Sequence, residues 1–324
     1  MEPSALEEFA ARVRGLRGQP VLELAALELA NAFEAGGVDY LLLKGPALVR
    51  LLYTPGEHRG YTDVDLLIAP QHLPAARDVL AGLGYTNYSA RRGIEDVAGV
   101  VHAEVWARAN EDVGPLMIDL HHQLAGTGAA AEVTWRALIA RRTWIELRGG
   151  RAAVLGPAGL ALHLALHAAQ HGHGAVMAFG DLRRGVARLP TDVWRDAASL
   201  AHEVGAATTF AAGLRLIPSG AALARELGLA PSEHAEWDIE HREVRPRGTF
   251  HVQAFAEGAG LAARAAVVRR ALLPTREWII HEHPWAARHR ARVVVARALH
   301  LLRAPAWAAA AWRFRRRARR SSGA

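Results

Sequence analysis

Two short apolar runs carry aspartates at positions that a buried strand normally fills with hydrocarbon, and this restricts the possible folds more than any other feature. Residues 63–69 read Asp-Val-Asp-Leu-Leu-Ile-Ala, and residues 116–120 read Leu-Met-Ile-Asp-Leu. Both have the length and content of sheet strands. Alternate side chains of a strand share a face, roughly 6.5 to 7 Å apart, so Asp63 and Asp65 project together while Val64 points into the core. Two carboxylates on one face repel each other unless a cation lies between them. Asp119, embedded in the second run, costs several kcal/mol unless it too is compensated.

The surrounding pattern is mixed. Helical periodicity covers residues 4–17 and 20–35, and the second stretch stops at Gly36-Gly37. Residues 38–43 form an apolar run bounded by glycine, expected as a buried strand. Pro46 then opens a short helix to about residue 53, and Thr54-Pro55-Gly56 breaks it. Residues 63–69 are a second strand, Pro70 begins a helix ending near 82–84, and residues 100–108 and 116–121 are further strands. After about residue 130 the chain turns to Ala- and Leu-rich helices, with one more strand at 143–147. The expected class is α+β: a small mixed sheet flanked by helices over residues 1–150, a mainly helical domain over 151–283, and a basic tail over 284–324.

Oxygen ligands at the Asp63–Asp65 spacing suit Mg²⁺ or Mn²⁺, and a third carboxylate normally completes such a centre. Asp119 is the first choice for it and Glu104 the second. Of 39 basic residues only one is lysine, Lys44. A chain that uses arginine for general positive charge keeps a compact ammonium where a planar fork does not serve. Lys44 precedes Gly45, where a strand turns into a helix, so backbone N–H groups and the helix amino terminus favour an anion such as phosphate there. The alternative for the aspartates is ion pairing to Arg50 or Arg59.

These residues carry a resemblance. The stretch Leu42-Leu43-Lys44-Gly45-Pro46-Ala47-Leu48, with Leu52-Tyr53, Pro55, Arg59 and Asp63-Val64-Asp65-Leu66-Leu67-Ile68, resembles the bacterial nucleotidyltransferase-like family of the polymerase-beta-type superfamily. Ile118-Asp119-Leu120-His121 is similar to its third-carboxylate strand. The segment from Leu162 to Gly172, with Asp181-Leu182, is similar to the helical segment that follows. The resemblance covers about residues 20–190. It implies divalent metal on Asp63, Asp65 and Asp119, phosphate contacts from Lys44, Gly45 and Arg59, and transfer of a nucleoside monophosphate from a nucleoside triphosphate to an acceptor. One departure stands out: the superfamily's usual turn is Gly-Gly or Gly-Ser, whose serine touches phosphate, and Lys44-Gly45-Pro46 has no hydroxyl.

His163, His167 and His171 recur at i, i+4 and i+8 on one helix face. With His173 they form either a metal site or the polar edge of a buried helix, and the apolar surroundings favour the second. The resemblance implies that His167 and His171 face the cleft and contact phosphate or Asp119. Asp181 is expected to pair with Arg183 or Arg184 at a solvated helix start, and His121-His122 to be structural.

Residues 152–170 carry no charge, but Gly156-Pro157 and two histidines make this a core helix starting at Pro157 rather than a membrane span. Residues 284–324 hold eleven arginines and no acidic residue, so the formal net charge of +7 combines this tail with a body of net −4. The tail intersperses arginine with Val, Leu and Trp, a composition suited to anionic membrane, nucleic acid or an acidic partner. The absence of cysteine excludes disulfides, thiolate metal sites and cysteine nucleophiles. The amino terminus lacks a signal-peptide core, giving a cytoplasmic expectation. Two other functions fit the same motifs. One is a D-x-D glycosyltransferase using a nucleotide sugar, which needs a larger sheet domain before Asp63. The other is a non-catalytic adaptor that reaches membrane or nucleic acid through its tail.

Overall fold

The computed structural model describes residues 5–88, 102–172, 176–233, 248–257, 260–274, 276, 279–280 and 283–321. The chain forms two compact units, Met1–Thr86 with Val105–Ser232, and Asn87–Glu104 with Glu233–Ala324.

The sheet has seven strands: β1 (Tyr40–Leu42), β2 (Asp63–Ile68), β3 (Thr86–Asn87), β4 (Ala103–Arg108), β5 (Leu116–His121), β6 (Thr143–Leu147) and β7 (Gly150–Val154). Their spatial order is β3-β4-β5-β2-β1-β7-β6. β2 pairs antiparallel with β1 and parallel with β5, and β1 pairs parallel with β7, so the sheet is mixed, as the α+β expectation requires. The parallel β2–β5 register sets Asp65 opposite Asp119 and Asp63 opposite Met117. Strands β3 and β7 were not expected. β7 arises because Gly149, at φ 88°, turns the chain between Leu147 and Gly150, which pair across a two-residue hairpin. Of the strand expected over 100–108, residues 100–101 lie outside the described residues.

Helix α1 (Ala5–Ala35) runs through Pro20, where two separate helices were expected. A proline inside a helix removes one backbone hydrogen bond. The apolar stripe of Leu22, Ala25, Ala26, Leu29, Ala30 and Phe33 is buried in the core. α2 (Pro46–Leu52) follows β1, a 3-10 turn over Pro70–His72 leads into α3 (Leu73–Gly82), and α4 is Ala131–Ile139. The helical part of this unit comprises α5 (Pro157–His171), α6 (Val176–Arg188), α7 (Thr191–Glu203), α8 (Ala207–Arg215) and α9 (Pro218–Glu226). α5 starts at Pro157 as expected, is buried over most of its length, and packs against α6, α7 and α8. The second unit contains α10 (Thr249–Glu257), α11 (Leu261–Leu272), a 3-10 turn at Pro284–Arg288 and α12 (Arg290–Ser321), with a small core of Ile279, Ala286, Val293 and Ala296.

α5 and α8 approach so closely that a Cβ at Gly213 would lie 2.1 Å from the Ala165 carbonyl oxygen. Backbone cannot yield there without separating the helices. Gly213→Ala is therefore expected to lower the unfolding free energy by about 2–3 kcal/mol or more. Gly82→Ala has nothing within 4 Å of the added Cβ and is expected to leave stability unchanged or slightly raised. Denaturant unfolding followed by far-UV circular dichroism compares the two.

Candidate functional site

The site grows from the end of β1. Leu43 N–H donates to the Asp65 backbone oxygen at 2.9 Å, extending the β1–β2 ladder to the residue before Lys44. Gly45 then takes φ 58°, ψ −120°, in the region that favours glycine. A Cβ there would press on the Tyr61 ring at 3.3 Å. This turn directs Lys44 back over β2, where its Nζ lies 2.6 Å from Asp65 Oδ1. The same oxygen accepts a hydrogen bond from His121 Nε2 at 3.1 Å. Asp65 is only 1% exposed. Burial opposes its charge, but the His121 hydrogen bond and the Lys44 ammonium hold the carboxyl well below the usual carboxylate range.

Asp63 and Asp119 behave in the opposite way. Asp63, one pleat away on the face of Asp65, is pushed up to about 6 by burial and then by the charges of Asp65 and Asp119. Asp119 is raised by burial and by Asp65. Three carboxylates therefore share one field that a single lysine only partly neutralises. One ligand atom from each of Asp65, Asp119 and His121 lies within 4.8 Å of the others. Carboxylate oxygens with one imidazole form a donor set that suits Mg²⁺ or Mn²⁺, so the residues present fit a divalent cation.

Helix α5 stands against this centre. His163 is wholly buried, and burial followed by repulsion from Lys44 lowers its pKa to about 3. His167 is lowered well below its ordinary value by the same two causes, with His163 and His171 adding. Its ring stacks on His163 at 5.7 Å and meets His171 edge-on at 4.6 Å. His171 is exposed at the end of the helix. His163 and His167 are thus neutral, and among the described residues no metal-binding group forms from the α5 histidines. His173 lies outside the described residues.

Arg59 reaches α6. Its Nε donates to Asp181 Oδ1 at 3.0 Å and its Nη2 to Oδ2 at 2.9 Å, while Tyr53 Oη donates to Oδ1 at 2.6 Å. Asp181 is fully buried, so its expected pairing with Arg183 or Arg184 at a solvated helix start is replaced by a fork-to-fork bond with Arg59. Arg50 pairs with Glu23 at 2.5 Å, so neither arginine fills the space among the aspartates. Glu104 accepts a hydrogen bond from Asn87 at 3.1 Å. The sequence predicts a structural role for His121, whereas the strand register brings it to Asp65. The His at the end of Ile118-Asp119-Leu120-His121, two residues from the aspartate on the same face, was the available signal.

A mixed sheet that sets carboxylates on adjacent parallel strands beside a glycine turn is a nucleotidyltransferase-like core. Residues 2–219, more than half of the chain, match the family described as uncharacterised nucleotidyltransferase, and the chain belongs to that family. No curated protein matches it. Among solved structures, an antigenic nucleotidyltransferase-like protein from Paracoccidioides brasiliensis is similar at TM-score 0.37 and 13% identity, covering 63% of this chain and 92% of that one. The antibiotic-resistance factor ANT(2'')-Ia is similar at TM-score 0.36 and 12% identity, covering 54% and 88%. The lincosamide antibiotic adenylyltransferase LnuA, bound to lincomycin, is similar at TM-score 0.32 and 17% identity, covering 50% and 94%.

Removing one partner of a buried ion pair strands the other charge. Asp181→Ala is expected to destabilise the protein by about 3–5 kcal/mol. Exposed Asp192→Ala, on the next helix, is the control, expected to cost far less. Thermal and denaturant midpoints measure both.

Proposed function

We propose that this protein is a metal-dependent nucleotidyltransferase that moves a nucleoside monophosphate from a nucleoside triphosphate to an acceptor, whether small molecule, peptide or protein. The observation that carries the reading is the β2–β5 register, which sets Asp65 against Asp119 and gathers their ligand atoms with that of His121. Asp65 and Asp119 would hold Mg²⁺ or Mn²⁺, with Asp63, which lies outside their 4.8 Å group, as the third carboxylate that the resemblance implies; the metal would supply charge neutralisation and orientation of the triphosphate. Lys44 and the Gly45 turn receive phosphate. Arg59, fixed by Asp181, lends positive charge from behind, and His167 and His171 border the cleft.

In the reaction an acceptor oxygen or nitrogen forms a bond to the α-phosphorus while the bond from that phosphorus to the bridging oxygen breaks. Pyrophosphate leaves with the electron pair, and the acceptor proton passes to Asp119, which faces Asp65 across the β2–β5 register. Positioning and electrostatics supply most of the acceleration. A cytoplasmic location belongs to the same reading, since nucleoside triphosphates are available there.

The Lys44–Asp65 contact favours a second reading, a binding module of the same fold in which the ammonium is a permanent counter-charge. A D-x-D glycosyltransferase is less well supported, because among the described residues only α1, β1 and α2 precede Asp63.

Incubating the protein with each labelled nucleoside triphosphate, Mg²⁺ or Mn²⁺ and lysate fractions is expected to release pyrophosphate and label a product. Failure of every triphosphate to bind in a metal-dependent way would overturn the transferase in favour of the binding module. Asp63→Asn is expected to reduce turnover by at least about 10²-fold. It should leave the melting temperature unchanged or raised, because it relieves repulsion among the three carboxylates. If Asp63→Asn unfolds the protein, the residue is a structural ion-pair member instead. Added Mn²⁺ is expected to raise the melting temperature of the wild type, as any ligand of the native state does, and to have no such effect on Asp65→Asn.

A further inference from the structure

Among the described residues of the second unit, one apolar face has nothing of its own packed on it. Along α12, Val293, Ala296, His300 and Ala311 are buried, each three, four or eleven residues from the next, and mark the side facing the rest of the unit. The opposite side is apolar as well. Val294 is 67% exposed, Leu302 77% and Trp312 53%, with Val295 and Leu301 exposed beside them. Arg290, Arg297, Arg303, Arg313 and Arg316 are exposed along the same helix. Eleven of the sixteen exposed large hydrophobic side chains among the described residues belong to this unit.

A cavity of about 660 Å³ in the same unit adjoins that face. Its walls include Phe255, Val267, Leu272, Pro305 and Trp307, with His251 and His300 as polar members. Exposed Trp312 lines the cavity and also belongs to the outward face, so the two apolar surfaces are continuous.

We propose that this unit docks on an anionic lipid bilayer, with the outward face of α12 lying in the membrane surface. The arginines meet lipid phosphates while Val294, Leu301, Leu302 and Trp312 enter the boundary of the acyl region. Charge complementarity selects an anionic partner, since residues 284–324 carry eleven arginines and no acidic residue. The apolar face selects lipid over nucleic acid, because a phosphate backbone in water leaves four exposed large hydrophobes without a partner. Helix Arg290–Arg316 contains an 18-residue stretch that is long and apolar enough, by length and composition only, to cross a membrane. Spanning would, however, submerge Arg297 and Arg303 near mid-helix and detach the buried side from its own unit. A helix lying on the surface keeps both in place. The inference does not depend on the reading of the aspartate site.

The test is flotation of the full-length protein with phosphatidylcholine vesicles, with and without phosphatidylglycerol. The wild type is expected to float with the phosphatidylglycerol vesicles alone and to be released by high salt. Arg313→Gln with Arg316→Gln is expected to weaken binding about thirty-fold, from the worth of two surface arginines. Leu301→Glu with Leu302→Glu is expected to abolish it. All four substituted residues are exposed, and far-UV circular dichroism confirms that the variants fold. Undiminished flotation of the Leu301→Glu/Leu302→Glu variant would overturn the proposal. So would equal binding to both vesicle types, attachment that survives high salt and alkaline carbonate, or binding to RNA without binding to lipid.

Discussion

The buried charge of Asp65 is the constraint to which the rest of the site answers. A carboxylate at 1% exposure must have its counter-charge delivered by the fold. Here Lys44 brings the charge from the end of β1, and His121 from β5 adds a hydrogen bond to the same oxygen. Each delivery depends on a strand register. Shifting β5 by one residue would turn His121 and Asp119 to the other face together, and loss of the Gly45 turn would carry Lys44 away. β1 is only three residues long and contributes little ladder energy, so the ion pair at its end helps to specify a pairing that hydrogen bonds alone leave weakly fixed.

The same charge orders the surroundings. Because they are buried and Lys44 is near, His163 and His167 stay neutral, so α5 adds no imidazolium charge to that of Lys44 and Arg59. Asp63 and Asp119, buried beside Asp65, hold their protons more tightly than ordinary carboxylates. A second buried ion pair, Arg59 with Asp181, fastens the segment before β2 to α6. Arg188 strengthens the connection by donating to the Leu52 carbonyl and pairing with Glu57 at 2.9 Å. The sheet that carries the carboxylates and the helices that roof them are thus joined by charge as well as by hydrocarbon.

Much of this was legible in the sequence because its signals are local. Two apolar runs containing aspartate, a glycine turn after a strand and a Gly-Pro helix start each specify their own element, and β5 and β6 fall where their patterns place them. The misreadings needed information from elsewhere in the chain. Asp181 sits beside Arg183 and Arg184, so proximity in sequence suggested a solvated pair, yet the helix turns it inward to Arg59, 122 residues away. His121 looked structural because nothing local shows that β5 lies next to β2. β7 was absorbed into the uncharged run before α5, since a five-residue strand leading straight into an apolar helix has no period of its own to betray it. Pro20 was read as a boundary, a sound local inference that burial of the following apolar stripe overrode.

The single lysine can now be understood by comparison with Arg59. At Asp181 both carboxylate oxygens are accessible, and a planar guanidinium engages them in parallel, with the Tyr53 hydroxyl completing one oxygen. At Asp65 a single oxygen receives the cation and already accepts from His121. A fork aimed at that oxygen would leave further N–H donors directed into a buried pocket bordered by neutral imidazoles and apolar strand residues. An ammonium presents one compact charge and is 16% exposed. In a chain that chooses arginine at 38 of its 39 basic positions, the exception falls where the geometry admits a point charge and not a plane.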